Sequence, residues 1–218
     1  MMKREGWGMD IKTEYYGSGK VKSEESFKNG KLDGPTKEYY ENGQLKLEGV
    51  YRNGKLDGPT KEYYENGQLK LEGVYKNGQL ELSREYYESG RLQSVTTFKN
   101  GELNGQSKKY YESGQLWEEN FFKNGNSHGV SKRYYANDRL EFEISYKDGR
   151  QNGLSKSYYE NGALRAEESF KNGQLDGASN AYYENGQLKK AEVYERGELI
   201  ELPKEYDEKG NLKALKKT

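Results

Sequence analysis

The chain has 218 residues, 31% hydrophobic and 33% charged, with zero formal net charge and a mean hydropathy of −1.27. So small an apolar complement predicts a thin core, and 36 basic residues set against 36 acidic ones leave no global field for nucleic acid or an anionic membrane. The lack of cysteine excludes a disulfide framework. No apolar run approaches the roughly 20 residues that span a bilayer.

The first twelve residues, MMKREGWGMDIK, depart from the pattern that follows and read as an N-terminal cap. Lys3 and Arg4 precede no apolar segment, so the chain as written carries no signal peptide and is expected in the cytoplasm. An N-terminal leader missing from this chain would make it exported. From Thr13 onward a period governs the sequence. Tyr-Tyr pairs begin at residues 15, 39, 63, 86, 110, 134, 158 and 182, and Tyr206-Asp207 forms a degenerate ninth. The phrase YYENGQLKLEGVY stands verbatim at Tyr39–Tyr51 and at Tyr63–Tyr75. The step is 24 residues except for one of 23, inside QLELSREYY, where a local irregularity over Leu80 to Arg84 is expected. Residues 13–213 therefore read as a repeat array, about eight full repeats and a ninth, with 214–218 as a C-terminal tail.

Each repeat carries two turn signals. Asn42-Gly43 exemplifies the first, after the tyrosines, and Asn53-Gly54 the second, after an aromatic residue. Asn-Gly between alternating apolar and polar residues predicts a hairpin of type I′, and a type I turn with a glycine bulge accepts the same letters. Segments such as Leu45-Lys46-Leu47-Glu48 alternate with period two, and none has a helical period. The expected fold is all-β: an elongated antiparallel meander, or solenoid, of stacked 24-residue hairpins in a largely single-layer twisted sheet.

A two-residue turn at Asn42-Gly43 pairs Lys37 with Glu48, and equivalently Lys61–Glu72, Lys108–Glu119, Lys132–Glu143 and Lys156–Glu167, each worth roughly 0.2–1 kcal/mol. Where the lysine becomes Asn180, its partner becomes Ala191. A register one residue away pairs Glu38 with Lys46 and Arg133 with Glu141, so both remain open. In the first, one face carries Tyr40, Leu45, Leu47, Tyr51 and Leu56, and the other Lys37, Tyr39, Lys46, Glu48 and Val50. Two such turns advance the pairing by 22 residues against a repeat of 24, and a bulge at Asp57-Gly58 is the natural place for the surplus. The ladders at the Leu45 and Tyr51 positions, apolar and aromatic in successive repeats, are the expected core.

On the strength of FKNGKLDG and YYENGQLKLEG the chain resembles the MORN repeats, in particular the bacterial variant labelled YwqK-type antitoxin. His128-Gly129 matches the HG form of the motif, and Asp33-Gly34, Asp57-Gly58 and Asp176-Gly177 match DG. Glu81-Leu82, Asn104-Gly105, Asn152-Gly153 and Glu201-Leu202 depart from it. The resemblance implies a hairpin array used for protein contact, scaffolding or membrane association, and brings no catalytic residues.

The residues themselves suggest little chemistry. His128, the only histidine, has no motif partners and reads as a turn residue in place of Asp. One carboxylate per Asp-Gly turn falls short of the six to eight oxygens that Ca²⁺ takes. No enzyme, metal or cofactor is expected. The candidate recognition face is the ladder Tyr39, Tyr63, Tyr86, Tyr110, Tyr134, Tyr158 and Tyr182 with Trp117, since tyrosines among Lys and Glu give amphipathic, low-entropy contact area. Covering a thin sheet is the alternative role for the tyrosines, and filling a packing gap that for Trp117. An unidentified protein is the expected partner, with an antitoxin- or immunity-like role as a special case. The alternative is an exported glycan binder. Nucleic acid is disfavoured by the interleaved acids. The end strands offer edges for self-association, which Lys12, Lys213, Lys216 and Lys217 oppose.

Overall fold

A computed structural model describes residues 2–5 and 9–213. The proposed tail 214–218, with Lys216 and Lys217, lies outside the described residues, as do Met1 and residues 6–8 of the proposed cap. The chain forms two compact units, the first reaching Gly105 and adding Glu112–Gly114, the second comprising Gln106–Tyr111 and the residues from Gln115. The first holds β1 (Met2–Glu5), β2 (Met9–Tyr15), β3 (Val21–Lys28), β4 (Lys31–Tyr39), β5 (Leu45–Arg52), β6 (Lys55–Tyr63), β7 (Leu69–Lys76), β8 (Gln79–Tyr86) and β9 (Leu92–Lys99). β10 (Glu102–Tyr110) starts in the first unit and finishes in the second. The second holds β11 (Leu116–Lys123), β12 (Asn126–Ser127), β13 (Gly129–Tyr134), β14 (Leu140–Lys147), β15 (Arg150–Tyr158), β16 (Leu164–Lys171), β17 (Gln174–Tyr182), β18 (Leu188–Glu195), β19 (Glu198–Leu199) and β20 (Lys204–Glu205). Within each unit, strands pair antiparallel with their sequence neighbours, and no helix occurs among the described residues. β12 and β13 are one strand interrupted at His128, and both pair with β11.

The two Asn-Gly signals fold differently. At Asn53-Gly54 both residues are left-handed, with φ of 51° and 82°, as type I′ demands. At Asn42-Gly43 only the glycine has positive φ, and its amide donates to Tyr40 O at 2.8 Å. This is the type I turn with a left-handed glycine. The Asn42 side chain secures it by accepting from Gln44 N at 2.8 Å. Asp138, at φ 63°, fills the glycine's place in Ala136-Asn137-Asp138.

Lys37 stands opposite Glu48, Lys61 opposite Glu72, Lys132 opposite Glu143, Lys156 opposite Glu167 and Asn180 opposite Ala191. The competing charge pattern is real as well. Glu38 faces Leu47 but Tyr39 faces Leu45, so Lys46 is the extra residue of a bulge. Lys46 consequently shares a side with Leu47, and its Nζ lies 3.4 Å from Glu38. Lys70 reaches Glu62 at 3.8 Å in the same way, and Arg133 reaches Glu141 at 2.7 Å. The bulge corrects the face assignment drawn from strict alternation: Leu45 belongs with Tyr39, and Lys46 with Leu47 and Tyr40.

The two surplus residues fall where expected. Gly49 faces Thr60 and Tyr51 faces Leu56, so Asp57, Gly58 and Pro59 bulge opposite Val50. The glycine of this bulge is required twice over. At Gly177 φ is 114°, and a Cβ would come within 3.0 Å of Ser169 Cβ. In the short repeat Val74 faces Leu82 and Tyr75 faces Leu80, leaving Glu81 alone as surplus.

The expected core also needs correction. Among the described residues no apolar side chain is fully buried, and the Leu45 and Tyr51 positions are half-exposed. The buried side chains are small hydroxyls, including Thr36, Thr60, Ser83, Ser107, Ser131 and Ser155, which share one repeat position. Gly49 and Gly73, also buried, stand opposite this row. A Cβ on Gly49 would lie 3.3 Å from Leu56 Cδ2, so large side chains lean over a trough of small ones. Stacking is locked by side chains. The second tyrosine of a pair donates its hydroxyl to the first tyrosine's carbonyl one repeat later: Tyr16 to Tyr39, Tyr40 to Tyr63, Tyr111 to Tyr134 and Tyr159 to Tyr182, at 2.6–2.8 Å. At the C-terminal end Leu199, Ile200, Leu202 and Leu212 are exposed.

Candidate recognition face

The first tyrosines lie on the charged side of the sheet. Tyr39 donates its hydroxyl to Glu24 at 2.9 Å, Tyr63 to Glu48 at 2.8 Å and Tyr182 to Glu167 at 2.9 Å. Tyr86, Tyr110, Tyr134 and Tyr158 hold the same repeat position, and all seven are half-buried. Burial, then the Glu48 hydrogen bond, pushes the Tyr63 hydroxyl up to about 12. Burial chiefly raises Tyr39, Tyr86, Tyr158 and Tyr182 too.

Beside the tyrosines runs an alternating charge row. In the first unit it reads Glu24, Lys37, Glu48, Lys61, Glu72, Arg84, each opposite the next. In the second it reads Glu119, Lys132, Glu143, Lys156, Glu167, followed by Asn180 and Ala191. Arg84 and Glu72 approach to 2.7 Å, Lys108 and Glu119 to 3.4 Å, and Lys61 and Glu48 to only 4.0 Å. Pairs this exposed stabilise little individually. They do keep Lys37, Lys61, Lys132 and Lys156 between anions, while Arg84 has Glu72 on one side and Val95 on the other.

A third row lies beyond the charges. Pro35 faces Val50 and Pro59 faces Val74 in the first unit, while Val130 faces Ser145 and Leu154 faces Ser169 in the second. Val50, Phe121, Val130 and Leu154, all of this row, are 38–44% exposed. A hollow of about 320 Å³ is lined by Pro35, Val50 and Pro59 together with Lys37, Glu48, Lys61 and Glu72. Sequence reasoning placed Val50 on this face but did not find the row. Ser26, Val50, Thr97 and Phe121 share the position, and nothing in so mixed a set announces exposure.

Trp117 is not brought to the tyrosine ladder. The Lys46-type bulge turns it to the opposite side, 6.1 Å from the Tyr111 ring, with Lys109 Nζ 5.5 Å above it. In other repeats a lysine covers the second tyrosine, as Lys70 covers Tyr64 at 6.0 Å and Lys189 covers Tyr183 at 5.5 Å. His128 occupies the turn position of Asp33. Its amide donates to Phe121 O, and its Nδ1 lies 3.3 Å from Asp148. Among the described residues no three His, Asp or Glu side chains converge as a metal site would, and no helix is long and apolar enough to cross a membrane.

None of the curated proteins matches this sequence. Among solved structures, the TcdB2-TccC3-Cdc42 complex is similar at 12% identity and a TM-score of 0.24, over 91% of this chain and 13% of the other. The Photorhabdus luminescens Tc holotoxin pore is similar at 12% identity and a TM-score of 0.25, over 97% of this chain and 15% of the other. The chain thus spans less than a sixth of the length of either. The sequence profile of the MORN repeat variant matches eight times, at residues 11–29, 32–53, 56–77, 82–100, 103–124, 127–148, 151–172 and 175–196. The match at 32–53 covers one Asn42-Gly43 hairpin, β4 with β5, so sequence repeat and structural repeat coincide. With its hairpins, its paired tyrosines and its turn glycines all in the family's phase, the chain belongs to the MORN repeat variant family.

Proposed function

We propose that the chain is a non-catalytic module that binds another protein through its charged face. The observation that supports this is the juxtaposition of the three rows. Exposed Val50, or Val130 and Leu154, lies beside alternating Lys and Glu, with tyrosines on the far side. Apolar contact area flanked by charges of both signs favours a partner that presents its own paired charges, a protein surface rather than a polyanion. An antitoxin- or immunity-like role is the special case in which that protein is a toxin.

The test is affinity capture of lysate and envelope proteins on the intact chain and on two folded variants. One combines Val130→Ser with Leu154→Ser. The other combines Tyr110→Ala with Tyr134→Ala. A stoichiometric protein retained by the intact chain and lost from both variants supports the reading. Retention on envelope glycan without protein transfers it to carbohydrate binding, and equal retention by all three chains removes the charged face from the argument.

A further inference from the structure

A type I′ turn places two left-handed residues in succession, and their consecutive N–H groups make a small concavity for an acceptor oxygen. The preceding repeat ordinarily fills it. Asn53 N donates to Asp33 Oδ2 at 3.1 Å and Gly54 N to Leu32 O at 2.7 Å. Asn77 N donates to Asp57 Oδ1 at 3.3 Å and Gly78 N to Leu56 O at 2.7 Å. Asn172 and Gly173 repeat the arrangement with Asn152 Oδ1 and Gln151 O.

The turn at Asn100-Gly101 has the same backbone, with φ of 54° and 80°, yet among the described residues no acceptor meets either N–H. The missing residue of the short repeat is the cause. Glu81 stands alone where Asp57, Gly58 and Pro59 form the bulge elsewhere, so β8 brings no acceptor to the two N–H groups. A hollow of about 430 Å³ opens there, lined by Lys76, Gln79, Glu81, Phe98, Lys99 and Asn100.

We propose that this hollow is a carboxylate-binding notch, which takes from another molecule the acidic group that Asp33 and Asp57 supply within the chain. The two N–H groups hold the oxygens, the Lys76 and Lys99 ammonium groups supply the charge, and the Phe98 ring offers an apolar wall to the carbon attached to the carboxylate. Glu81 lines the same space, and its charge repels an incoming carboxylate, so it sets the affinity low. The notch lies at the turns and is independent of the face proposed above.

The test is a ¹H–¹⁵N NMR titration of the full chain with N-acetyl-aspartate amide, acetate and N-acetyl-asparagine amide. The Asn100 and Gly101 amide protons are expected to move downfield and saturate, while those of Gly54 and Gly78 stay in place. The neutral asparagine compound is expected to bind about tenfold more weakly. Acetate binding as tightly as the aspartate compound assigns the notch to small carboxylates, and weaker acetate binding assigns it to acidic peptide side chains. Glu81→Gln should tighten binding several-fold. Rebuilding the full repeat, with Glu81→Asp, Leu82→Gly and a proline inserted before Ser83, should abolish it. No saturable shift at Gly101, equal shifts at Gly54, or equal binding of the asparagine compound overturns the proposal. So does a Gly101 shift on Glu81→Gln without ligand, which would place the Glu81 carboxylate in the notch already.

Discussion

The two tyrosines of a pair do different work, and the hydroxyl group shows which. The second ties its repeat to the next, so Tyr159→Phe, which removes only the bond to Tyr182 O, should cost about 1 kcal/mol in urea unfolding. The first donates to a glutamate on the open face. Tyr63, with its hydroxyl pushed up to about 12 against an ordinary value near 10, favours the neutral form when folded. Its contribution is therefore complete below about pH 10 and is lost as pH rises toward 12. Urea unfolding at pH 9 and pH 11 should show a loss of stability that is smaller in Tyr63→Phe. Lys156 sits between Glu143 and Glu167, so Lys156→Glu aligns three like charges and should cost about 1 kcal/mol at low salt, less at high salt. The pairing of these charges was legible because their types covary along the sequence. The burial of Thr36 and Ser155 was not, because a hydroxyl small enough to fit under a leaning leucine looks on paper like any surface residue.

Hairpins and their order could be read from Asn-Gly spacing alone, and charge compensation narrowed the register to two. Which turn each Asn-Gly adopts could not. Asn42 and Asn53 precede glycine alike, but only Asn53 is left-handed, because one strand end carries a bulge and the other does not. Asn172→Ala, at φ 52°, should accordingly destabilise by about 1–2 kcal/mol. Asn161→Ala, which loses only the bond to Ala163 N, should cost about half as much, as thermal denaturation of both variants would show. The same bulge defeated the face assignment at Leu45 and Lys46. Period-two alternation has no means of signalling an extra residue, and the competing charge register was its trace. Trp117 was misplaced for this reason.

Among the described residues neither unit has a conventional core, so stability accumulates from contacts between neighbouring strands and from ties that reach to the next repeat. Deleting residues 158–181 joins Ser157 to Tyr182, a tyrosine in the same phase as the one removed. The shortened chain should keep its strand circular dichroism, with a urea m-value reduced in proportion to the length lost. Complete unfolding would show that distant repeats depend on one another.

The Tyr-hydroxyl tie has a consequence for inheritance. Because Tyr40 reaches Tyr63 by an offset set within the repeat, a coding segment copied or dropped by unequal recombination leaves every surviving tie intact, provided a whole repeat is exchanged. Lineages can therefore vary the number of hairpins in a single event. Smaller length changes mark the chain locally, as the lone Glu81 does between Leu80 and Leu82.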